Sequence, residues 1–206
     1  AAQLAGAMLK RYPHNDVDGA ARQLEGTEGK PALLATDGVF SMDGDVAPLR
    51  ELANVCRREG ATLMVDDAHG LGVLGTHGAG SINDAGLSET DTPVLTATLG
   101  KALGCSGAFV AGSHALIEGL TQFARTFVYT TAMPPALAAA AHEAVRIARA
   151  EDWRRGKLLA LITRFRNGAA QLGLPLADSR TAIQPIVLGG AGPAVAASRT
   201  LEAEGV

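Results

Sequence analysis

The sequence predicts an α/β fold in which a mainly parallel sheet is covered by helices on both faces, giving three layers. Two observations lead to this prediction. Short apolar runs alternate with longer segments of helical spacing, which is the pattern of strands joined by crossover helices. The composition, 47% hydrophobic and 19% charged over 206 residues, is that of a folded globular chain rather than a disordered one.

The first half of the chain supplies the strands. Residues 31–36 form the first short apolar run, and a turn rich in Gly and Asp follows over 37–45. A helix is predicted next, with Asp45 near its N-cap, Pro48 in its first turn and Gly60 at its end. Further buried strands are predicted at 61–65, 94–99 and 108–111.

Helices dominate the second half. The spacing of apolar residues predicts helices at 113–127, 135–150 and 154–172. Residues 182–188 are predicted to form another strand, and the segment from Gly192 onward another helix.

Composition and charge exclude several classes of protein. The formal net charge is −3 and the chain has no block of Lys and Arg, so neither nucleic acid nor a membrane surface is an expected partner. No apolar stretch reaches the roughly 18 residues that a membrane span needs. Cys56 and Cys105 are too few for a disulfide framework, which favours a cytoplasmic location.

Two predicted strands end in chemically unusual residues, and parallel sheets bind ligands beyond the carboxyl ends of their strands. Asp66, Asp67 and His69 follow the strand at 61–65, and Lys101 lies between glycines just past the strand at 94–99. A Lys in an apolar, Gly-rich setting is a candidate nucleophile, because burial favours the neutral, reactive amine. A turn-capping Asp and an ordinary polar His or Lys are the simpler alternatives.

Three other kinds of site are weaker interpretations. Residues 70–75 match the G-x-G-x-x-G dinucleotide fingerprint, but residues 76–81 have loop composition where that fingerprint needs an opening helix. Lys101 is followed by Ala102 rather than Ser or Thr, so no Walker A loop is present. The histidines lack the i,i+4 spacing of zinc hydrolases, so no metal is predicted. The minor alternative is a hard-metal site made of Asp66, Asp67, His69 and His77.

Several stretches together resemble the α-oxoamine synthases, which are fold-type I enzymes that depend on pyridoxal 5′-phosphate (PLP). The principal motifs, in the family's order and approximate spacing, are Ser41-Met42-Asp43-Gly44-Asp45, Val65-Asp66-Asp67-Ala68-His69-Gly70 and Thr98-Leu99-Gly100-Lys101. Supporting stretches lie at 12–16, 129–135, 161–166 and 182–185. The resemblance covers nearly the whole chain, but the chain covers only part of such an enzyme.

The resemblance implies a catalytic role for three residues. Lys101 would hold PLP covalently as a Schiff base and act as the base at the α-carbon of the substrate. Asp66 would face the pyridine nitrogen and keep it protonated, as the chemistry of the cofactor requires. His69 would bind the phenolic oxygen of the cofactor, with Ser41 as a second partner.

The resemblance also implies how the cofactor phosphate is held. Thr98 would bind it within the same subunit. Thr130 and Thr131 would reach the phosphate of the neighbouring subunit, so a homodimer with a shared active site is expected.

The family joins an amino acid to an acyl-CoA thioester with loss of carbon dioxide. The stretches at 129–135 and 182–185 are closer to the members that condense L-alanine with pimeloyl-CoA, or its carrier-protein equivalent, in biotin biosynthesis. Members that use glycine and acetyl-CoA share the principal motifs and remain an alternative. A fragment that keeps the fold and serves only as a dimerisation or binding module is a third possibility.

The ends of the chain indicate a fragment, because it begins without Met and stops within a helix-like pattern at 201–206. A polar break at Glu151-Asp152-Trp153 predicts a domain boundary. Residues 1–150 would be part of the PLP-binding large domain. Residues 151–206 would begin a smaller α+β C-terminal domain.

Overall fold

Four strands form one sheet in the computed structural model, which describes residues 2–27 and 29–206. They are β1 (Leu33–Asp37), β2 (Thr62–Asp66), β3 (Val94–Thr98) and β4 (Ala108–Gly112), and they lie side by side in chain order. The first three run parallel, and β4 pairs antiparallel with β3. The mainly parallel sheet is confirmed, and the strands lie close to their predicted positions.

The register of the sheet aligns the carboxyl ends of the parallel strands. Asp37 at the end of β1 pairs with Asp66 at the end of β2, and Asp66 pairs with Thr96 near the end of β3. The polar residues that end three consecutive strands therefore lie at one edge of the sheet.

The core lies between this sheet and the first helices. α1 (Val17–Leu24) packs against α2 (Leu49–Glu59), which packs against β2. Leu52 of α2 and Leu63 of β2 are both fully buried in this core. Burying one such side chain stabilises the fold by about 1.5–3 kcal/mol. The remaining helices are α3 (Ser81–Asp84), α4 (His114–Phe123), α5 (Arg125–Val128), α6 (Pro135–Ala150), α7 (Trp153–Gln171) and α8 (Ala191–Ala203).

The second helix ends as the sequence predicts but begins differently. Gly60 terminates it with φ of 66°, in the left-handed region that favours glycine. The N-cap is Pro48, with no side-chain hydrogen bond, so the prediction of Asp45 near the cap is wrong. Asp45 Oδ2 instead lies 2.7 Å from His14 Nε2 and accepts a hydrogen bond from Asn15 at the same distance.

Two predictions in the second half of the chain are wrong. The single helix predicted at 113–127 is broken at Ala124, whose extended ψ of 102° separates α4 from α5. Residues 182–188 do not form a strand; only an isolated bridge pairs Leu176 with Ile186.

Buried hydroxyl groups hold in place the segment between the two residues of that bridge. Ser179 Oγ and Thr181 Oγ1 both donate to the carbonyl oxygen of Gly44, at 2.7 and 2.9 Å. Ser179 is 3% exposed and Thr181 1%. These two bonds, here called the hydroxyl clamp, tie the segment to the turn that carries Ser41.

The predicted domain boundary coincides with a break between helices. α6 ends at Ala150 and α7 begins at Trp153. A helix break does not by itself separate two domains, and the hydroxyl clamp crosses the boundary. The division into 1–150 and 151–206 stays a prediction.

Two structural features concern the predicted location of the protein in the cell. Within the described residues, no helix has both the length and the apolar character to cross a membrane. Both cysteines are free thiols; Cys56 is buried, which raises its pKa to about 11, and Cys105 is partly exposed. The cytoplasmic location stays a prediction.

Candidate active site

Lys101 and His69 meet in the loops that follow two neighbouring strands. β2 ends at Asp66 and leads to His69, while β3 ends at Thr98 and leads to Lys101. Lys101 Nζ lies 2.6 Å from His69 Nε2. An ammonium group can only donate, so with Lys101 charged the Nε2 atom accepts and the ring hydrogen belongs on Nδ1. The structure therefore places two of the three predicted catalytic side chains in direct contact.

The surroundings of His69 favour its neutral form. Burial, and after it the charge of Lys101, lower the pKa of the His69 imidazole, whereas Asp37 and Asp66 act in the opposite direction. A neutral imidazole keeps one N–H with which to donate a hydrogen bond. The predicted contact with an anionic phenolic oxygen requires that property.

Asp66 is held in a turn that occupies only one of its carboxylate oxygens. Its Oδ1 atom accepts a hydrogen bond from the backbone N–H of Ala68 at 3.0 Å. For Oδ2, no hydrogen-bond donor is found in the part of the chain that the structure describes. One oxygen of Asp66 is thus available to face a protonated ring nitrogen, as the sequence resemblance implies.

Asp37 is a site residue that the sequence analysis missed. It ends β1 and lies in register with Asp66. Burial, followed by the charge of Asp66, raises the pKa of the Asp37 carboxyl, while His69 and Lys101 lower it. The signal that could have identified it is an acid directly after the apolar run at 31–36, which repeats the pattern of Asp66 after its own strand.

Lys101 is exposed, whereas the sequence analysis expected an apolar, buried setting. Its side chain borders a cavity of about 670 Å³, which His69 also lines. The apolar walls include Leu103, Ile147 and Leu158. A small molecule that enters this cavity can therefore reach the amine of Lys101.

Asp67, next to Asp66 in the chain, has a buried structural position. The residue is 1% exposed, and its Oδ2 atom accepts a hydrogen bond from Ser81 N at 2.8 Å. Burial raises the pKa of the Asp67 carboxyl. A Cβ added at Gly70 or Gly80 would overlap this carboxylate, so both glycines are needed for the chain to wrap around it.

Thr98 shapes the loop that carries Lys101. Its hydroxyl accepts a hydrogen bond from Gly100 N and donates one to the Gly107 carbonyl, both at 3.1 Å. To bind a phosphate as a donor, this hydroxyl would have to turn away from Gly107. Thr98 is therefore well placed at the strand end but already has a hydrogen-bond partner.

The other three predicted binding residues make no hydrogen bond with Lys101 or His69 in the part of the chain that the structure describes. Ser41 is exposed in the turn after β1. Thr130 and Thr131 are exposed in the segment after α5, and the Thr130 hydroxyl donates to the carbonyl of Thr126. Within residues 2–27 and 29–206, no hydrogen bond joins these three side chains to Lys101.

The weaker interpretations of the sequence find no matching geometry in the described residues. The segment after the dinucleotide-like fingerprint contains only a short 3₁₀ turn, Thr76–Gly78, before α3. His77 Nδ1 pairs with Asp152 at 3.0 Å rather than with the acids near His69. The ligand atoms that do lie close enough for a metal are exposed or half-exposed groups of His14, Asp43 and Asp45.

The residues at the strand ends fit the chemistry of PLP. A primary amine can bond to an aldehyde carbon, a carboxylate oxygen without a donor can accept from a ring N–H, and a neutral imidazole can donate to a phenolic oxygen. Lys101, Asp66 and His69 supply these three groups at one edge of the sheet.

Comparison with known proteins places the chain in a family. The family model described as aminotransferase class I and II matches residues 1–206. A curated relative, the 8-amino-7-oxononanoate synthase of Alkalilimnicola ehrlichii, is 59% identical, and the match covers 99% of this chain and 52% of the relative.

Solved structures share the fold. A serine palmitoyltransferase from S. paucimobilis with bound PLP–myriocin aldimine superposes with a TM-score of 0.86 at 28% identity, over 90% of this chain and 49% of that one. An 8-amino-7-oxononanoate synthase from Francisella tularensis gives a TM-score of 0.84 at 32% identity, over 98% and 58%. The chain spans about half the length of the curated relatives it matches.

Proposed function

Because the chain belongs to the class I and II aminotransferase family, we propose that it is the cofactor-binding part of a PLP-dependent acyltransferase of biotin biosynthesis, an 8-amino-7-oxononanoate synthase. One observation carries the proposal: Lys101 Nζ contacts His69 Nε2 at 2.6 Å beside the strand-end carboxylate of Asp66. The name of the 59% identical relative supports the specific activity.

Lys101 and His69 have related roles: Lys101 is the base, and His69 orients it and donates a hydrogen bond. Lys101 Nζ would hold the cofactor covalently and would serve as the base for the proton on the α-carbon of the amino-acid substrate. A base works best when it can exchange its proton near the working pH. His69, held neutral by its surroundings, orients Lys101 and donates a hydrogen bond to the phenolic oxygen.

The remaining predicted residues hold the cofactor in position. When bound, PLP supplies an electron sink that stabilises negative charge at the α-carbon of the substrate. Asp66 keeps the pyridine nitrogen protonated through its free carboxylate oxygen. Ser41 would supply a second hydrogen bond to the phenolic oxygen, and Thr98 would bind the phosphate, for which its hydroxyl would have to turn from the Gly107 carbonyl.

The proposed substrates are L-alanine and pimeloyl-CoA, or a pimeloyl carrier protein. A carbon–carbon bond forms between the α-carbon of alanine and the thioester carbonyl, and the thiolate leaves. The carboxylate of alanine leaves as carbon dioxide, a proton takes its place, and 8-amino-7-oxononanoate is the product. The cavity beside Lys101 gives both substrates a route to the amine.

We further propose a homodimer in which the active site is shared. Thr130 and Thr131 of one subunit would bind the phosphate held by the other, which agrees with their exposure here. Phe127 and Tyr129 next to them are 62% and 79% exposed. Exposed aromatic side chains beside polar ones are typical of a surface that a partner covers.

Borohydride reduction in the presence of PLP, followed by peptide mapping with mass spectrometry, tests the central assignment in the full-length protein. Borohydride fixes PLP permanently to the lysine that holds it. We expect the label on Lys101 and not on Lys157, which is an exposed lysine of α7, and no label in a Lys101→Ala variant. A folded protein with Lys101 unlabelled would overturn the proposal and favour a binding module without turnover.

A thioester assay then decides between the two related reactions. Release of CoA from pimeloyl-CoA with alanine, and not from acetyl-CoA with glycine, is the expected result. The reverse preference would keep the reaction class and change the substrates.

A further inference from the structure

We propose that Ser179 and Thr181 are positioning residues of this site. Their hydroxyl groups hold the turn that carries Ser41, and so fix the place from which Ser41 donates to the phenolic oxygen of the cofactor. The inference rests on the proposed function for the role given to Ser41. Neither of the two hydroxyls touches substrate or cofactor in this proposal; both act through Ser41.

The turn that carries Ser41 is closed by its own backbone. Phe40 N donates to the Asp45 carbonyl at 3.0 Å, and Gly44 N donates to the Phe40 carbonyl at 2.9 Å. Ser41 follows Phe40 directly inside this closed turn. A displacement of Gly44 is therefore passed to Ser41 through a single hydrogen bond.

The hydroxyl clamp holds this turn at Gly44. Both clamp residues are buried and both donate to the Gly44 carbonyl, so water does not compete for these bonds. Gly44 has φ of 71°, and a Cβ at this position would overlap the Ser179 hydroxyl and the carbonyl oxygen of Ile183. The two backbones can approach this closely only because residue 44 is a glycine.

The clamp segment is itself held by α7. Arg166 Nη1 donates to the carbonyl oxygens of Ala177 and Ser179, both at 3.0 Å. The same nitrogen donates to Gln184 Oε1 at 2.8 Å, and Gln184 Nε2 donates to the Thr181 carbonyl at 2.7 Å. Arg166 and Gln184 lie in two of the stretches that resemble the family without an assigned role. Their contact gives both stretches the same task, which is to fix the clamp.

A second contact holds the turn from its other flank. His14 Nε2 and Asn15 Nδ2 each lie 2.7 Å from Asp45 Oδ2, and the His14 ring meets the Phe40 ring edge-on with 4.3 Å between the centroids. Ser41, between these fixed residues, is exposed. An exposed hydroxyl on a turn held at both flanks is a preorganised hydrogen-bond donor.

The clamp segment also borders the cavity at Lys101. Residues 181–183 line that cavity together with Lys101 and His69. The Thr181 hydroxyl donates to Gly44 and accepts from the next-but-one backbone N–H, so it is not the group that a ligand would meet. One segment thus sets both a wall of the cavity and the place of the turn.

Amide hydrogen exchange in the cofactor-free, full-length protein tests whether the clamp holds the turn. Gly44 N–H is the reporter, because it is bonded inside the turn. We expect Thr181→Val to raise its exchange rate by about 2- to 10-fold, the order expected for weakening one buried hydrogen bond. Thr181→Ser keeps the hydroxyl and should leave the rate unchanged. The Asp91 amide, bonded to the Ser88 carbonyl in another turn, is the reference.

The visible absorbance of bound PLP tests whether the turn acts through Ser41. With PLP at saturation, the pH midpoint of this absorbance reports the proton shared at the phenolic oxygen. A hydrogen bond to that oxygen favours its anionic form, so Ser41→Ala should raise the midpoint by about 0.5–1 pH unit. Thr181→Val should raise it by a smaller amount, because Ser179 still holds Gly44, and Thr181→Ser should not change it.

A double-variant cycle separates positioning from general disturbance. In a Ser41→Ala background, Thr181→Val should add no further shift, because the donor that it places is absent. An equal shift with and without Ser41 overturns the proposal. So does a Gly44 exchange rate that does not respond to Thr181→Val, or that rises no more than the rate of Asp91. The single Thr181→Val variant keeps one clamp bond and decides the question even if the variant that lacks both hydroxyls does not fold.

Failure of this inference and failure of the proposed function give different results. If borohydride fails to label Lys101, the proposed function fails and the role of Ser41 with it, while Gly44 exchange still shows whether the clamp holds the turn. If the label is found and the absorbance midpoint does not depend on Thr181, the proposed function stands and this inference fails.

Discussion

Removing both hydroxyl groups of the hydroxyl clamp should destabilise the protein by more than the sum of the two single losses. Ser179 and Thr181 donate to the same buried carbonyl oxygen, that of Gly44. In Ser179→Ala or Thr181→Val alone, the carbonyl keeps one donor, and each variant should lose about 0.5–1.5 kcal/mol of unfolding free energy. In the double variant the carbonyl has none, and an unsatisfied buried polar group adds about 1–3 kcal/mol.

Each hydroxyl also accepts a hydrogen bond, which sets the size of the single losses. Thr181 N donates to Ser179 Oγ at 3.2 Å, and Ile183 N donates to Thr181 Oγ1 at 3.3 Å. These bonds are long, so their loss adds little. The single variants should therefore stay near the lower end of the range.

Urea unfolding of the four proteins, parent, two singles and double, measures the coupling directly. Thr163→Val is the matched control, because that hydroxyl donates to the Leu159 carbonyl at 2.9 Å from an exposed site on α7. It should change the unfolding free energy by no more than about 0.5 kcal/mol. If the losses of unfolding free energy in Ser179→Ala and Thr181→Val add up to the loss in the double variant, the Gly44 carbonyl does not depend on the two hydroxyls together, and the reasoning is refuted.

Two further predictions concern the loop behind the site and the titration of His69. Gly80→Ala should destabilise by about 3 kcal/mol or more, because its φ is 96° and a Cβ would overlap the Asp67 carboxylate. Gly26→Ala, with φ of 73° and open space around it, should lose only about 1 kcal/mol in the same urea assay. The lowered pKa of His69 means that protons bind the unfolded state more strongly. The contribution of His69 to the free energy of unfolding should therefore be fully present above about pH 6.5. It should be lost as the pH drops through the folded-state pKa. A His69→Gln variant should lack that part of the decline, and an NMR titration of His69 centred above pH 6.5 would contradict the assignment.

The strands that carry the site were predictable from local pattern. Each is an apolar run that ends in a polar residue; Asp66 follows its run directly, and Lys101 follows its run after Gly100. Parallel sheets bind ligands at the carboxyl ends of their strands, so the sequence predicts that the candidate site lies in the loops with His69 and Lys101.

The register between strands was not predictable in this way. Asp37 belongs to the site because it pairs with Asp66, and the spacing of apolar residues along one strand says nothing about its neighbour's alignment. The same limit explains why the hydroxyl clamp was missed, since it joins residues far apart in sequence.

The strand predicted at 182–188 does not form, which shows that side chains can override an apolar pattern. Pro185 has no N–H to donate to a sheet. Gln184 Nε2 donates to the carbonyls of Thr181 and Ser179, at 2.7 and 3.1 Å. Those carbonyls are thereby satisfied locally, and the segment turns instead of extending along a partner strand.

The sequential order of β1, β2 and β3 has a consequence for synthesis. β2 pairs with β1 and β3 pairs with β2, so each of these two strands pairs with the strand made just before it. Residues 37–101 contain Asp37, Asp66, His69 and Lys101 together. During synthesis from the N-terminus, these four side chains can meet while the helices after β4 are still leaving the ribosome. Ser179 and Thr181 are made well after these four residues, so the hydroxyl clamp on the turn that carries Ser41 can form only after the strand-end residues have been made.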